Sequence, residues 1–224
     1  MPKCSIIIPV FQGDAYLAET IESLRNQTEK DIEIIVVNDA SPDYLDDLMS
    51  WYIKQDSRIK YHLFETNRGV CEARNFGNQM AEADLLFVSD QDDLSLPDRV
   101  KDSVEFMEAH PEVDCLTGWY FECDVDGNPV KEFHPEDMTR EVFERGGFVW
   151  FHSSACYRKK DILALPYRDL NDGATDDFRF LDDWTNAGKK FYTLPKVLGL
   201  CRRLPGGQMN IRREVQGLAP SYIL

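Results

Sequence analysis

Three carboxylates stand within four residues at Asp90-Gln91-Asp92-Asp93. Like charges this close repel one another unless something answers them. Such a run persists as a solvated turn, as the cap of a following helix whose N-terminus favours negative charge, or as oxygen ligands of a hard divalent cation. A second acidic group lies at Thr175-Asp176-Asp177, with Asp182-Asp183 beyond it, and a lone acid, Asp39, follows an apolar run. The spacing reads Thr175 as an N-cap, with Asp176 and Asp177 in the first helical turn. The chemical alternative is a general base, a carboxylate placed to take a proton from a hydroxyl. Asp182 and Asp183, one or two turns on, are read as facing solvent.

The charge balance sharpens these options. The 224 residues carry 40 acids against 25 bases, a formal net charge of -15. That excludes a general nucleic-acid surface, which needs a basic footprint. An acidic protein that binds a phosphate ligand needs local compensation, from aimed Arg or Lys side chains or from a bound cation. Cys4, Cys71, Cys115, Cys123, Cys156 and Cys201 are scattered, without zinc spacing, and most lie in apolar segments. They read as reduced core residues, which suits a cytoplasmic setting. No stretch approaches the roughly 18–20 apolar residues of a membrane span, and the N-terminus lacks a signal-peptide shape. It reads as the first strand of a soluble protein.

The elements that must position these groups follow from periodicity. Residues 4–10 and 32–37 are apolar, β-branched runs that predict buried strands, and 59–64 and 84–88 predict two more. Helices are expected over 14–27, capped by Asp14, from Ser41 or Asp43 to about Lys54, over 70–81, and from Pro97 to about Ala109. This alternation implies a parallel sheet with helices on both faces. The second half predicts strands at 115–123 and 129–133 around an Asp126-Gly127-Asn128 turn, a short helix at 139–145, and a strand at 153–158. It also predicts a helix at 176–187 and two short strands around Pro195 within 190–202. The expected organisation is one α/β domain over 1–224. Its first half runs to about 110, a less regular α+β half covers 111–204, and a tail occupies 205–224.

In open parallel sheets, ligands gather beyond the carboxyl ends of the strands. Those ends offer Pro9-Val10-Phe11-Gln12, Asn38-Asp39-Ala40-Ser41 and Ser89-Asp90-Gln91-Asp92-Asp93. The acidic run directly after DLLFV is therefore read as a Mg2+ or Mn2+ site completed by substrate phosphates. Arg74, in VCEARNFGNQM, falls near the same edge, where it could meet a base or a phosphate.

SIIIPVFQGDAYLAETIESLRNQT, IEIIVVNDASPD, NRGVCEARNFGNQMAEADLLFVSDQDD with PDRV after it, and TDDFRFLDDWTNAGKKFY followed by VLGLCRR stand in this order. Together they resemble the catalytic domain of glycosyltransferase family 2, the GT-A fold, over nearly all of residues 4–204. The resemblance implies an inverting transfer from a nucleotide sugar, UDP-linked as the first choice, to a saccharide or lipid-linked acceptor. Pro9, Val10 and Phe11 would line the nucleobase pocket, Asp39 would bind the base, and Arg74 would support it. Asp92 and Asp93, with Asp90 alongside, correspond to the metal and ribose–phosphate aspartates, with Asp93 favoured as the direct ligand. Asp177 matches the catalytic base, Asp176 replaces the usual Glu beside it, and Arg202 or Arg203 matches a late Arg that reaches the diphosphate.

The chain departs from that pattern in places. Phe11-Gln12 stands where the family often has Tyr-Asn, Asn38-Asp39-Ala40 where it often has Asp-Asp-Gly, and Leu204 where a His often follows the late Arg. The QxxRW signature of processive synthases is absent, which favours transfer of single sugars. Family members often continue beyond this chain's end, which leaves open a truncation ahead of an acceptor or membrane-association segment, with peripheral attachment at the inner face of the cytoplasmic membrane. A sugar nucleotidyltransferase would carry a Gly-rich, basic loop near the first strand, and PVFQGD has one Gly and no base. A dehydrogenase would show GxGxxG there. A catalytically inactive domain that binds a glycan or a partner is the remaining alternative, against which Asp39, Asp92, Asp93 and Asp177 speak. Trp119, Tyr120, Trp150, Phe151 and Trp184 could stack on sugars but read first as core, and His152 as a buried hydrogen-bonding group.

Overall fold

The apolar runs of the first half become the inner strands of one sheet. The computed structural model describes residues 1–147, 149–169 and 175–204; the expected tail at 205–224 lies outside them. In chain order β1 (Cys4–Val10), α1 (Leu17–Arg25), β2 (Ile32–Asn38), α2 (Leu45–Gln55), β3 (Ile59–Leu63), α3 (Val70–Met80) and β4 (Leu85–Val88) build the strand order β3-β2-β1-β4, all parallel. Alternate residues of β1 and β2 pack on opposite faces. Ile6, Ile8, Ile34 and Val36 meet α1 and α2 through Leu17, Ile21, Leu24 and Met49, while Ile7, Ile35 and Val37 meet α3 through Cys71 and Ala73. Both faces are covered, which is why these strands are continuously apolar rather than alternating.

Pro9 is tolerated inside β1 because of where β4 stops. The pairing of β1 with β4 ends at Ile7, while its pairing with β2 runs on to Val10. The Ile7 carbonyl accepts from Ser89 N–H on the β4 side (3.0 Å), and the Val10 carbonyl from Asp39 N–H on the β2 side (2.8 Å). By alternation Pro9 faces the β4 side beyond the last paired residue, where no ladder bond is lost.

The sheet then continues through β5 (Leu94–Ser95), β6 (Cys115–Cys123), β8 (Cys156–Arg158) and β9 (Phe191–Arg202), in the order β4-β8-β6-β9-β5, with β7 (Pro129–Phe133) added to β6 as a hairpin. β9 lies parallel to β6, and antiparallel partners enter through β8, β5 and β7. The helices are α4 (Arg99–Ala109), α5 (Arg140–Arg145), α6 (Lys159–Ala164) and α7 (Asp176–Asn186). α4 packs on the α1 face through Val100, Val104 and Met107, and α7 on the α3 face through Phe180, Leu181 and Trp184. All six cysteines are buried and free. Among the described residues no helix is long and apolar enough to cross a membrane.

Several local expectations are corrected. Asp14, Ser41 and Asp43 do not cap helices: α1 and α2 begin after Tyr16 and Tyr44 without side-chain caps. Instead the Ser41 hydroxyl accepts from Gln12 N–H (2.6 Å) and donates to Asp43, whose carboxylate accepts from Asp14 N–H (3.0 Å). These polar side chains stitch the loops after β1 and β2 together. α4 starts at Arg99 rather than Pro97, and one of its first N–H groups, on Val100, is satisfied by the Gln27 side chain (3.0 Å). The strand expected from 153 begins at Cys156, because His152–Ser154 form a 3-10 turn. Residues 191–202 are one strand, not two: Pro195 and Lys196 bulge out between Leu194, opposite Gly118, and Val197, opposite Trp119. β5 and α6 carry too short a pattern to announce themselves.

Gln12 and Ala40 both sit at φ +54°, side by side at the ends of β1 and β2. An L-residue there is strained by about 1–2 kcal/mol relative to its usual wells. Asn and Gly, the residues that the family often places at these two positions, are the types that tolerate it. Ala40→Gly is therefore expected to raise stability, by up to about 1 kcal/mol after the extra entropy of an unfolded glycine. Urea unfolding would show a higher midpoint with an unchanged slope; a lower midpoint would refute the strain at Ala40.

Candidate active site

The site begins where the parallel strands run out of partners. Past Val10, the backbone of Phe11 finds its neighbour in a side chain: Gln91 accepts from Phe11 N–H (2.8 Å) and donates to Phe11 C=O (3.0 Å). The fit is close, since a Cβ on Gly13 would lie 2.7 Å from the Gln91 amide oxygen. Pro9 and Val10 are buried in the sheet, so of the three residues expected to line a base pocket only Phe11 presents its ring, at 41% exposure. Asp39 is buried at the end of β2. Its two carboxylate oxygens accept from Arg68 N–H (2.6 Å) and Gly69 N–H (2.8 Å), holding the turn that leads into α3. Each oxygen retains a lone pair.

The acidic run is fastened from below. The Thr20 hydroxyl lies 2.9 Å from the carbonyl oxygens of both Gln91 and Asp93, Ser153 accepts from Asp90 N–H (2.9 Å), and Asp93 accepts from Arg202 N–H (2.8 Å). The Arg202 guanidinium, expected to reach a diphosphate, is engaged underneath the run. It donates to the carbonyls of Asp92 (3.0 Å) and Val125 (2.5 Å), pairs with Glu19 (2.6 Å), and lies over the Tyr16 ring. Arg203 pairs with Glu122.

The three carboxylates of the run are not equivalent. Burial pushes Asp90 up, but the adjacent Arg74 charge overrides it and holds the group below its usual range. Burial and the Asp90 charge push Asp92 up to about 6, against the pull of Arg202. Asp93, more deeply buried and facing both neighbours, is pushed well above the usual carboxylate range. Among the described residues no Lys or Arg side chain forms an ion pair with Asp92 or Asp93. Nor do three acidic, His or Cys side chains gather closely enough to cage a metal. Asp92 and Asp93 remain the carboxylates of the run that no side-chain cation pairs with among the described residues. Mg2+ and Mn2+ sites commonly rest on one or two carboxylates with the remaining ligands from water and phosphate.

Arg74, 5% exposed, crosses the site. One Nη donates to Asp90 Oδ1 (2.6 Å), the other forms an ion pair with Asp176, and the guanidinium sits over the Tyr167 ring at 5.4 Å. Asp176 and Asp177 do open α7 after Thr175. The Asp177 carboxylate accepts from the Thr175 hydroxyl and from Phe178 N–H (2.7 Å). Asp182 and Asp183 are not free at the surface: they are half-buried and pair with Arg140 (2.6 Å) and Arg168 (2.7 Å).

Beneath Arg74 runs a chain of hydrogen bonds. Trp150 donates to His152 Nδ1 (3.1 Å), so the proton of the neutral ring is on Nε2, which donates to Tyr167 (2.9 Å). Tyr167 donates to Tyr157 (3.4 Å) and Tyr157 to Asn78 (3.1 Å). The charges of Arg74, Asp90 and Asp177 all act on His152, and burial depresses its pKa to about 4. The plain reading of His152 as a buried hydrogen-bonding group fits this network. Of the aromatics, Tyr120, Phe151 and Trp184 are core, and Trp119 and Trp150 are partly exposed. Sequence reasoning passed over Gln91, Thr20, Ser153 and Tyr167, whose work is done across the fold and leaves no local pattern.

The family model for glycosyl transferase family 2 matches residues 5–164. The chain belongs to this family. An uncharacterized glycosyltransferase of Methanocaldococcus jannaschii is 30% identical over 171 residues, which is 74% of this chain and 59% of that protein. S. aureus TarS 1-349, solved in complex with UDP-GlcNAc, aligns with TM-score 0.70 at 21% identity over 92% of this chain and 60% of that one. The mannosyltransferase PcManGT from Pyrobaculum calidifontis, solved with GDP-Man and Mn2+, aligns with TM-score 0.71 at 17% identity over 95% and 61%. These likenesses show that the family 2 chain has the GT-A fold. It spans 52–59% of the length of the first curated relatives it matches.

His152 yields a pH test. Its folded pKa, about 4, lies below the unfolded value of roughly 6.5. The unfolded state binds the proton first on acidification, so the stabilisation is complete above about pH 6.5 and is lost as pH falls toward 4. The shift corresponds to about 3 kcal/mol between pH 7 and pH 4. His152→Gln, compared with wild type by urea unfolding at both values, is expected to lose less stability by roughly that amount; equal losses would contradict the assignment.

Proposed function

We propose that this chain transfers a single sugar, with inversion, from a nucleoside-diphosphate sugar to a hydroxyl of a saccharide or lipid-linked acceptor, using a divalent cation. UDP-sugars are the first choice of donor. The observation that carries the reading is the pair Asp92–Asp93, two carboxylates that form no ion pair among the described residues, at the edge where the parallel strands end. Support comes from family membership and from the nucleotide sugars and Mn2+ in the complexes of the GT-A neighbours.

In this reading the exposed Phe11 ring and Asp39, through its remaining lone pairs, receive the base, and Asp90 lies toward the ribose and phosphates. Arg74 and Arg202 are committed to internal partners, so they act on a donor mainly by holding the acidic run in place. Mn2+ or Mg2+, held by Asp92 and Asp93, would supply the charge that offsets the departing diphosphate. Asp177 takes the proton from the acceptor hydroxyl. The acceptor oxygen then bonds to the anomeric carbon as the bond to the diphosphate oxygen breaks, with its electron pair leaving on the nucleoside diphosphate.

UDP-, GDP- and dTDP-sugars should be screened for thermal stabilisation with and without Mn2+, since a ligand of the native state raises its apparent stability. Stabilisation by one donor only when metal is present is expected, and Asp93→Ala or a chelator should abolish it. Asp177→Asn should keep donor binding and lose transfer by about 100-fold or more. Transfer that persists with chelator and in Asp93→Ala would refute the metal pair, and transfer that survives Asp177→Asn would place the base elsewhere. A chain that binds no nucleotide under any condition would point to the inactive-domain alternative.

A further inference from the structure

Asp177, assigned above as the base, sits on a helix whose other end is firmly anchored: Trp184 is fully buried and donates to the Leu165 carbonyl (3.1 Å). What fixes the opposite end is a separate matter. α3 reaches it through Arg74, and the neighbouring Asn75 fixes Tyr167, the residue over whose ring Arg74 lies. Asn75 brackets the backbone of Tyr167, donating to its C=O (2.8 Å) and accepting from its N–H (3.0 Å). Arg74, with its guanidinium over the Tyr167 ring, meets Asp176 with one Nη and Asp90 with the other. A guanidinium offers a rigid fork of donors and can hold two carboxylates in different directions at once, which the point charge of a Lys does not do.

We propose that Asp176 is a positioning residue: through Arg74 it ties the first turn of α7 to Asp90 and the acidic run, so that Asp177 is held against the donor site while Asp176 itself exchanges no proton with substrate. The proposal rests on the transferase reading above for its consequence, and on geometry alone for the tether. Division of labour follows from the contacts. Asp176 is bound by a buried cation, whereas the contacts of Asp177 come from its own turn, Thr175 and Phe178. The same guanidinium neutralises Asp90, which leaves Asp92 and Asp93 as the pair without an ion-pair partner among the described residues.

The test compares Asp176→Asn, Asp176→Glu, Arg74→Lys and the double variant Arg74→Lys/Asp176→Asn. Asp176→Asn is expected to bind UDP with Mn2+ within about threefold of wild type and to keep its donor KM, while kcat falls by about 100-fold, the scale of a small misplacement of a reacting group. Asp176→Glu restores the carboxylate and should recover most of kcat. Arg74→Lys should lose at least as much kcat as Asp176→Asn, because it also loosens Asp90, and the double variant should be no worse than Arg74→Lys, since the link to Asp176 is already broken there. An unchanged kcat in Asp176→Asn, loss of UDP binding in that variant, or no recovery in Asp176→Glu would overturn the proposal. Urea unfolding of the same set needs no activity: non-additive losses support the tether and additive losses overturn it. A wild type that transfers sugar from none of the donors would sink the transferase reading alone.

Discussion

Between Asp90 at the end of β4 and Asp176 in the first turn of α7 lies one guanidinium, that of Arg74. Take it away and two carboxylates face each other beside Asp92 and Asp93, in a region where water is scarce and repulsion is weakly screened. The chain as a whole carries an excess of acid, so no background of positive charge would make up the loss. The ionised state of Asp90 depends on that one buried charge, which also adds to the burial that keeps His152 neutral and ties the first turn of α7 to the run.

The scaffolding around it meets a difficulty common to sheet edges. Where strands end, backbone N–H and C=O groups lose their ladder partners, and they must find others if they stay near the interior. Here side-chain amides take the role of the missing strand. Gln91 supplies both bonds for Phe11, and Asn75 supplies both for Tyr167. The loops after β1 and β2 turn through the left-handed residues Gln12 and Ala40 and are joined by Ser41 and Asp43. Strain of this kind persists where the surroundings over-determine the backbone, and it concentrates at functional edges.

Among the described residues, the two arginines that touch the run are used on the protein's own behalf. Arg202 supports the acidic run from below and Arg74 from the side, so the run's open carboxylates are Asp92 and Asp93. A donor diphosphate would bring more negative charge to the same place, which is why the proposed chemistry depends on a metal ion rather than on arginine.

Local pattern was enough for much of this. The runs CSIIIPV, IEIIVV and DLLFV are apolar at every position because both sheet faces are covered, and that property is written residue by residue. From it follow the parallel strands, the edge where they end, and the presence there of Asp39 and the acidic run. Thr175-Asp176-Asp177 likewise opens a helix as its composition implies. The family departures at Gln12 and Ala40, visible as letters, acquire a meaning only once their φ angles are known. What the tertiary structure alone decided is partnership. Nothing near Arg74 in the chain names Asp176 as its ion-pair partner, nothing near Arg202 names Asp92 or Glu19, and Asp14, Ser41 and Asp43 look like helix caps until the loops are seen side by side. Pairing between distant residues depends on how β4, β8 and β9 bring them together. Hydrophobic periodicity says which face a residue occupies, not which charge it will meet there.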